Sequence, residues 1–132
     1  MASVVYPKFK EGLLQGTWNL SSAVVRAVLI DTGTYTYSAA HDNYNDLSGV
    51  VGTESAAMDG KTFTNGTFDA NNITFSAVTG STVEASILFV DTGNAATDAL
   101  ICFIDSASSG LPVTPNGGDI TVAWNASGIF AL

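Results

Sequence analysis

The sequence predicts an all-β fold: an antiparallel two-layer sandwich or jelly roll of about eight strands with one short N-terminal helix. The first observation is the segment 83–105, in which two apolar arms, Ala85 to Val90 and Ala99 to Ile104, flank a polar break. Each arm is too short for an ordinary helix and is rich in residues that favour strands. Both arms are apolar on both faces, which is typical of central strands, so we predict a β-hairpin at the centre of the sheet.

The second observation is the series of turn signals in the middle of the chain. Candidate strands at 53–58, 61–68 and 72–77 are punctuated by the pairs Asp59-Gly60, Asn65-Gly66 and Asn71-Asn72. Such pairs tolerate the left-handed backbone that tight turns require. Several short strands separated by turn signals indicate a sandwich or a barrel.

Residues 1–20 form an N-terminal arm that contains the one predicted helix. Pro7 suits a first helical turn, apolar residues follow at spacings that share a face, and Gly16 is a stop signal. These features predict a helix over 7–15. A short strand over 18–20 is expected to follow, since apolar and polar residues alternate there.

The rest of the chain alternates apolar strands with long connections. Val24 to Ile30 has the composition of a buried strand, whereas 31–49 is rich in tyrosine and polar residues and predicts a surface connection with one helical turn near 43–47. Two prolines exclude a central strand from 106–118, so this connection lies along an edge or serves a specific role. The last strand places Ile120, Val122 and Trp124 on one face.

Composition limits the class of protein. The 132 residues suffice for a single domain, 1–132, and carry a net charge of −8, which repels phosphate backbones and anionic lipid headgroups. We therefore expect neither a nucleic acid nor a membrane as partner. No apolar run approaches a membrane span and residues 1–12 lack the pattern of a signal peptide, so we expect folding in a cytoplasm. Cys102, the only cysteine, is interpreted as a small buried hydrophobe.

Two Asp-Thr-Gly triplets, at Asp31 and Asp91, each follow an apolar strand. Aspartic proteases use two such loops to bring two carboxylates around one water, so a remote alternative is a protease with these residues as its dyad. Each lobe of a two-lobed protease needs far more than the 60 residues that separate Asp31 from Asp91. The favoured interpretation is that each Asp caps a turn and each Gly adopts positive φ at a strand end.

Other patterns that could support chemistry are weak. His41 stands beside acidic residues, but a lone histidine cannot supply the second nitrogen ligand of a typical zinc site. The loops at 42–46, 69–72 and 116–119 contain carboxylates and amides that could ligate calcium, yet none has the spacing of an EF-hand. The sequence has neither a nucleophile elbow nor a glycine-rich phosphate loop. We predict no enzymatic activity, no cofactor and no bound metal.

The most patterned segments are AVLIDTGTYTYS, at 27–38, and SGLPVTPNGGDITVAWNASGIFAL, at 109–132. The piece GLPVTPNGGDITVAW is the most specific, because it combines a Pro-Asn-Gly-Gly-Asp turn with a last strand that contains a tryptophan. With these segments the sequence resembles a family of small proteins encoded among the virion genes of tailed bacteriophages. The likeness extends to YPKFKEGLLQGTWNLSS near the start and covers nearly the full length.

Within that setting, a small acidic β-protein without an enzyme site is similar to head decoration, or cement, proteins. The resemblance implies a β-sandwich that binds the outer capsid surface as a homo-oligomer, a dimer or a trimer, and bridges subunits of the major capsid protein. It implies a location on the virion, after synthesis in the cytoplasm of a bacterial host. The alternative is a phage tail, fibre or adhesion module that binds a host receptor or a carbohydrate.

By hypothesis, the contact surfaces are the N-terminal arm, the tyrosine-rich connection and the proline-rich connection. Aromatic residues in otherwise polar loops are frequent at interface hot spots. The candidate partner-binding residues are Tyr6, Phe9, Tyr35, Tyr37, Tyr44, Leu111, Pro112, Val113 and Pro115. The alternative is that these side chains cover the ends of the sandwich.

Overall fold

The computed structural model describes residues 4–105, 107 and 109–132, and these form an antiparallel all-β fold with one α-helix. The predicted fold class is thereby confirmed. The helix and strands are β1 (Val4–Val5), α1 (Pro7–Leu14), β2 (Val25–Ile30), β3 (Val50–Val51), β4 (Thr67–Phe68), β5 (Ile73–Phe75), β6 (Ala85–Val90), β7 (Leu100–Ile104), β8 (Ile120–Val122) and β9 (Phe130–Ala131). Short 3₁₀ turns lie at Tyr44–Asp46 and Thr64–Gly66.

The main sheet has five strands in the order β1-β7-β6-β2-β3, so the predicted hairpin of β6 and β7 lies at its centre. β6 pairs with β2 along its whole length, from Val25 opposite Val90 to Ile30 opposite Ala85. Every residue of β6 and β7 is buried. The two-sided apolar pattern of these arms therefore identified the centre of the core.

Two smaller antiparallel sheets complete the fold. β4 pairs with β9, and β5 pairs with β8. The predicted apolar face of the last segment is observed, because Ile120 and Val122 of β8 are buried. Trp124, two residues after the end of β8, is buried as well. The arrangement is consistent with a sandwich, whereas the jelly-roll connectivity that the sequence also allowed is not confirmed.

Three local predictions need correction. The predicted strand at 18–20 is irregular, because the Asn19 side chain accepts hydrogen bonds from the backbone and hydroxyl of Ser21 and forms a turn. The predicted strand at 53–58 is also irregular. It hydrogen-bonds to β2 at only some positions, and at one of these the Ser55 hydroxyl replaces a backbone acceptor for the Ala27 N–H. The predicted strand over 61–68 is limited to β4 at its end.

The helix prediction is confirmed with a slightly shorter extent, since α1 ends at Leu14. The Tyr6 backbone N–H donates to the Ile101 carbonyl of β7 at 3.0 Å, and this bond ties the start of the helix to the main sheet. Phe9 then buries its ring in the core, with only 1% of its surface exposed. The helix is thus fixed at one corner of the main sheet.

Candidate functional site

Three of the residues predicted to bind a partner lie in the interior. Tyr6, Phe9 and Tyr35 expose 0%, 1% and 2% of their surface. The Tyr6 ring packs on Tyr37, and the Tyr35 ring packs on Phe103 of β7. The prediction that these three lie on an exposed contact surface is wrong for this fold, because all three are buried.

The hydroxyl groups of Tyr6 and Tyr35 belong to a hydrogen-bonded chain that also includes His41. The hydroxyls of Tyr6 and Tyr35 are 2.8 Å apart, and the Tyr35 hydroxyl is 2.7 Å from Nδ1 of His41. Burial raises the pKa of both tyrosines. Both phenols are therefore neutral at physiological pH, and the chain ties the N-terminal arm to the tyrosine-rich connection.

The structure brings Tyr37 and Pro112 together. They line a surface hollow of about 570 Å³ with Phe103, Glu84 and other residues at this end of the main sheet. Pro112 is exposed and Tyr37 is half-buried, so these two side chains remain available to a partner.

The proline-rich connection is held against the body rather than projecting from it. Val113 and Val83 exchange two backbone hydrogen bonds, of 2.8 and 2.9 Å, and Leu111 packs against the core. Leu111, Val113 and Pro115 are half-buried. The described residues of this connection bridge to Val83 and, at Ser109, to Ala123, so deleting the connection would remove part of the fold.

Tyr44 lies apart from the other tyrosines. Its ring meets Phe89 edge-on at 4.8 Å, and its backbone N–H donates to the Asp98 carbonyl at 2.9 Å. Phe89 is near the end of β6, whereas Phe103, beside Tyr37, is near the end of the antiparallel strand β7. The predicted contact residues therefore do not form one surface.

The two Asp-Thr-Gly triplets lie at opposite ends of a strand pair. Asp31 follows Ile30, which is opposite Ala85, whereas Asp91 follows Val90, which is opposite Val25. Six strand residues at ~3.3 Å each separate the two ends by about 20 Å. The two carboxylates cannot share one water, so the dyad of the protease alternative is excluded.

Each aspartate caps a turn, as the favoured interpretation predicted, whereas the predicted positive φ is wrong for Gly33. Asp31 Oδ1 accepts from the Gly33 N–H at 2.8 Å, and Asp91 Oδ1 accepts from the Gly93 N–H at 2.9 Å. Only the second glycine has positive φ, at 90°. The repeated motif is thus an aspartate-capped strand end used twice.

Asp91 makes a further interaction, with Arg26 of β2. The Arg26 Nε donates to Asp91 Oδ2 at 2.6 Å, and Arg26 also donates to the Ser55 carbonyl. The Arg26 hydrogen bond, followed by that from the Gly93 N–H, lowers the pKa of the Asp91 carboxyl. This pair joins β2 to the turn after β6.

The described residues contain no group of three or more His, Cys, Asp or Glu side chains placed to hold a metal ion. Asp46 accepts from the backbone N–H groups of Asp42 and Asn43, and these bonds lower the pKa of its carboxyl. Cys102 is fully buried in β7, and burial raises the pKa of its thiol. Its predicted character as a buried hydrophobe is confirmed.

The most distinctive surface is one that the sequence reasoning missed. Large apolar side chains meet on one side of the molecule. They come from α1, from the segment after it, from the residue before the 3₁₀ turn Thr64–Gly66 and from the C-terminal end of the chain. We call this the apolar face, and it consists of Leu13, Leu14, Trp18, Phe63, Phe130 and Leu132. Leu14, Leu132 and Phe63 expose 90%, 72% and 41% of their surface, which is unusual for such residues when they lie together.

Two adjoining hollows shape the apolar face. One, of about 590 Å³, lies between the segment at 16–21 and β4, and the other, of about 610 Å³, lies between β1 and β9. Leu13, Phe130 and Leu132 line both. The rings of Phe63 and Phe130 flank that of Phe68, with ring centroids 5.6 and 5.3 Å from it, and these three aromatic rings line the first hollow.

The apolar face also differs from the rest of the molecule in charge. None of the acidic side chains lines either hollow in the described part of the chain, although the sequence has twelve of them. Lys10 is the charged side chain that lines the second hollow. On a protein of net charge −8, a surface without acidic side chains reduces the repulsion that an acidic partner meets.

One signal in the sequence could have identified part of this face. Leu13 and Leu14 are consecutive at the end of a helix of eight residues, and adjacent helical positions differ by about 100° in direction, so one of the two can lie at the margin of the core-facing stripe and stay exposed. Leu14 instead falls on the side of Lys10, four residues earlier. The contributions of Phe63 and Leu132 could not be found in this way, because they reach the face only through the pairing of β4 with β9.

No protein-family model matches the chain, and a search of curated proteins finds no significant match. Among the described residues, no helix is both long and apolar enough to cross a membrane.

Proposed function

We propose that this protein is a structural component of a tailed-phage virion that binds the outer capsid surface and bridges major capsid subunits as a decoration, or cement, protein. The observation that carries the proposal is the apolar face, on which Leu14, Phe63 and Leu132 are exposed and from which acidic side chains are absent among the described residues. A contiguous exposed apolar patch marks a protein interaction site. The resemblance to phage virion proteins supplies the setting.

The fold supports this role in a second way. A cement protein acts through area and shape, and it requires a stiff body with no reactive group. The five-stranded sheet, with its fully buried central hairpin, gives the apolar face such a body. The aspartates that suggested catalysis serve turns instead.

The test is binding to purified capsids that lack this protein, measured by cosedimentation. Leu14→Ser removes the most exposed side chain of the apolar face, and we expect it to weaken attachment on the order of tenfold, as hot-spot substitutions do. Val24→Ser is the matched control, because Val24 is 43% exposed and lies outside both hollows. Equal binding by the two variants, or no binding by the unmodified protein, would contradict the proposal.

A tail, fibre or adhesion module is the second candidate. The observation that favours it is the hollow of about 570 Å³ beside Tyr37 and Pro112, where aromatic rings adjoin Glu84 and Asp105. Apolar hollows with a few polar groups are typical of small-ligand sites. The copy number in purified virions separates the candidates, because a cement protein is abundant over the head and a tail module is confined to one vertex or tail tip.

A further inference from the structure

The hollow of about 610 Å³ on the apolar face lies between two strands that each have an unpaired edge. β1 pairs with β7 on one side, and β9 pairs with β4 on one side. Neither has a second strand partner in the described residues. Val4 and Val5 line one wall of the hollow, and the residues 129–132 line the other. Unpaired strand edges are the backbone feature to which another chain can add as a strand.

The same hollow has an apolar lining with a single charge. Leu13 and Leu14 contribute to it from α1, and Lys10 is the charged side chain in its lining among the described residues. A slot of this kind favours an extended segment whose alternate side chains are apolar.

Among the lysine and arginine side chains of the described residues, Lys10 differs in having neither an ion-pair partner nor a hydrogen-bond partner. Lys8 pairs with Glu11 at 3.1 Å, Arg26 pairs with Asp91 at 2.6 Å, and Lys61 donates to the carbonyls of Leu20 and Ala23. Within the described part of the chain, Lys10 takes part in no ion pair and is exposed. A carboxylate on the incoming segment would complement it.

We propose that the hollow between β1 and β9 receives an extended, alternately apolar segment of the capsid protein that adds as a β-strand and places one carboxylate against Lys10. This inference rests on the proposed function and specifies the partner segment. A second copy of this chain is the weaker occupant, because each copy has a net charge of −8 and two copies repel one another.

A displayed library of random twelve-residue peptides is selected for binding to the full-length protein. The enriched peptides, or winners, are then synthesised and their affinities are measured by fluorescence polarisation. We expect winners with alternating apolar residues and one Asp or Glu. Lys10→Glu should weaken their binding on the order of tenfold and should select Lys or Arg at that position instead. Methylation of alternate backbone amides in a winning peptide should abolish binding, because strand addition uses those N–H groups.

Lys8→Glu is the matched control. It makes the same change in net charge on the same helix, but Lys8 lies outside the lining of this hollow. It should leave both the affinity and the charge preference unchanged. An equal effect of the two variants would show a general electrostatic response and would overturn the inference.

Three further outcomes would also overturn it. The first is that the library enriches no peptide, and the second is that the enriched peptides have apolar residues at helical spacing. The third is that sedimentation equilibrium shows concentration-dependent dimers that Leu14→Ser dissociates. The last would assign the face to a second copy. Capsid binding that is retained in Lys10→Glu would reject this inference and leave the proposed function standing. Selected acidic peptides without any capsid binding would reject the proposed function, and with it the capsid protein as the source of the segment.

Discussion

Trp18 lies directly over Gly12, so that a Cβ at position 12 would overlap the indole ring. The Gly12 carbonyl also accepts the backbone N–H groups of Thr17 and Trp18. The indole in turn stacks on Phe9, with ring centroids 6.3 Å apart. A glycine in the middle of α1 is therefore required by packing, and it fixes one wall of the apolar face.

Gly12→Ala is predicted to destabilise the protein by about 1–3 kcal/mol, because the added methyl forces Trp18 away from the helix. The direction of this change distinguishes the packing effect from helix propensity, because Gly to Ala in a free helix is favourable by up to ~1 kcal/mol. Urea unfolding followed by tryptophan fluorescence measures the change. Glu11→Ala, on the exposed side of α1, should stay within about 0.5 kcal/mol, and a Gly12→Ala variant as stable as the unmodified protein would show that Trp18 is not held as described.

The Arg26–Asp91 pair predicts a pH-dependent contribution to stability. The folded state lowers the pKa of Asp91, so its carboxylate stabilises the fold above its ordinary pKa of 3.8, and this contribution is lost as pH falls through that value toward the lower folded pKa. Arg26→Gln should reduce the free energy of unfolding at pH 7 by about 1 kcal/mol, because both side chains are only partly exposed. Below about pH 3 the variant and the unmodified protein should differ less.

The measurement is urea unfolding of both proteins between pH 7 and pH 2.5. Asp91→Asn provides the control, since its side-chain oxygen can still accept the Gly93 N–H while the charge is removed. Its stability difference from the unmodified protein should shrink in the same pH range. A difference that stays constant with pH in both variants would contradict the assigned role of the carboxylate.

Tyr35→Phe is predicted to destabilise the protein by about 1–3 kcal/mol. The substitution leaves the Tyr6 hydroxyl, which is fully buried, without its hydrogen-bond partner. The double variant Tyr6→Phe/Tyr35→Phe should lose less than the sum of the single variants, because removing both hydroxyls leaves neither buried donor unpaired. Thermal unfolding measures these differences.

Tyr37→Phe is the control for that series. The Tyr37 ring packs on Tyr6 and Phe103, but no hydrogen bond of its hydroxyl is found in the described residues. Its stability should change by less than about 0.5 kcal/mol. Additive losses in the Tyr6/Tyr35 double variant would contradict a direct bond between the two phenols.

The central hairpin shows why part of the fold could be predicted. The apolar runs of β6 and β7 have no polar face and are too short for an ordinary helix, and together these two features favour a strand that is covered on both sides. The aspartate-capped turns were predictable for a similar reason, because the carboxylate of Asp91 bonds to a backbone group two residues away. Both signals depend on neighbours in the chain.

The candidate site was harder to predict because burial is not a local property. Tyr35 lies in a polar segment that suggested exposure, yet its ring covers Phe103 and its hydroxyl reaches Tyr6, 29 residues away. Leu14 lies in a helix that suggested burial, yet 90% of its surface is exposed. The sequence composition of a segment did not indicate which side of the sheet it would cover.

The amino-acid order alone therefore determined the all-β class, the buried central hairpin, the short helix and the acidic character of the protein, since periodicity, turn chemistry and charge act between near neighbours or add over the whole chain. The tertiary structure decided where the apolar face lies and separated Asp31 from Asp91. The pairing of β4 with β9 brings Phe63 and Leu132 together, and the pairing of β2 with β6 sends the two aspartates to opposite ends of one sheet. These relations join residues far apart in the chain, and only the register of the folded strands specifies them.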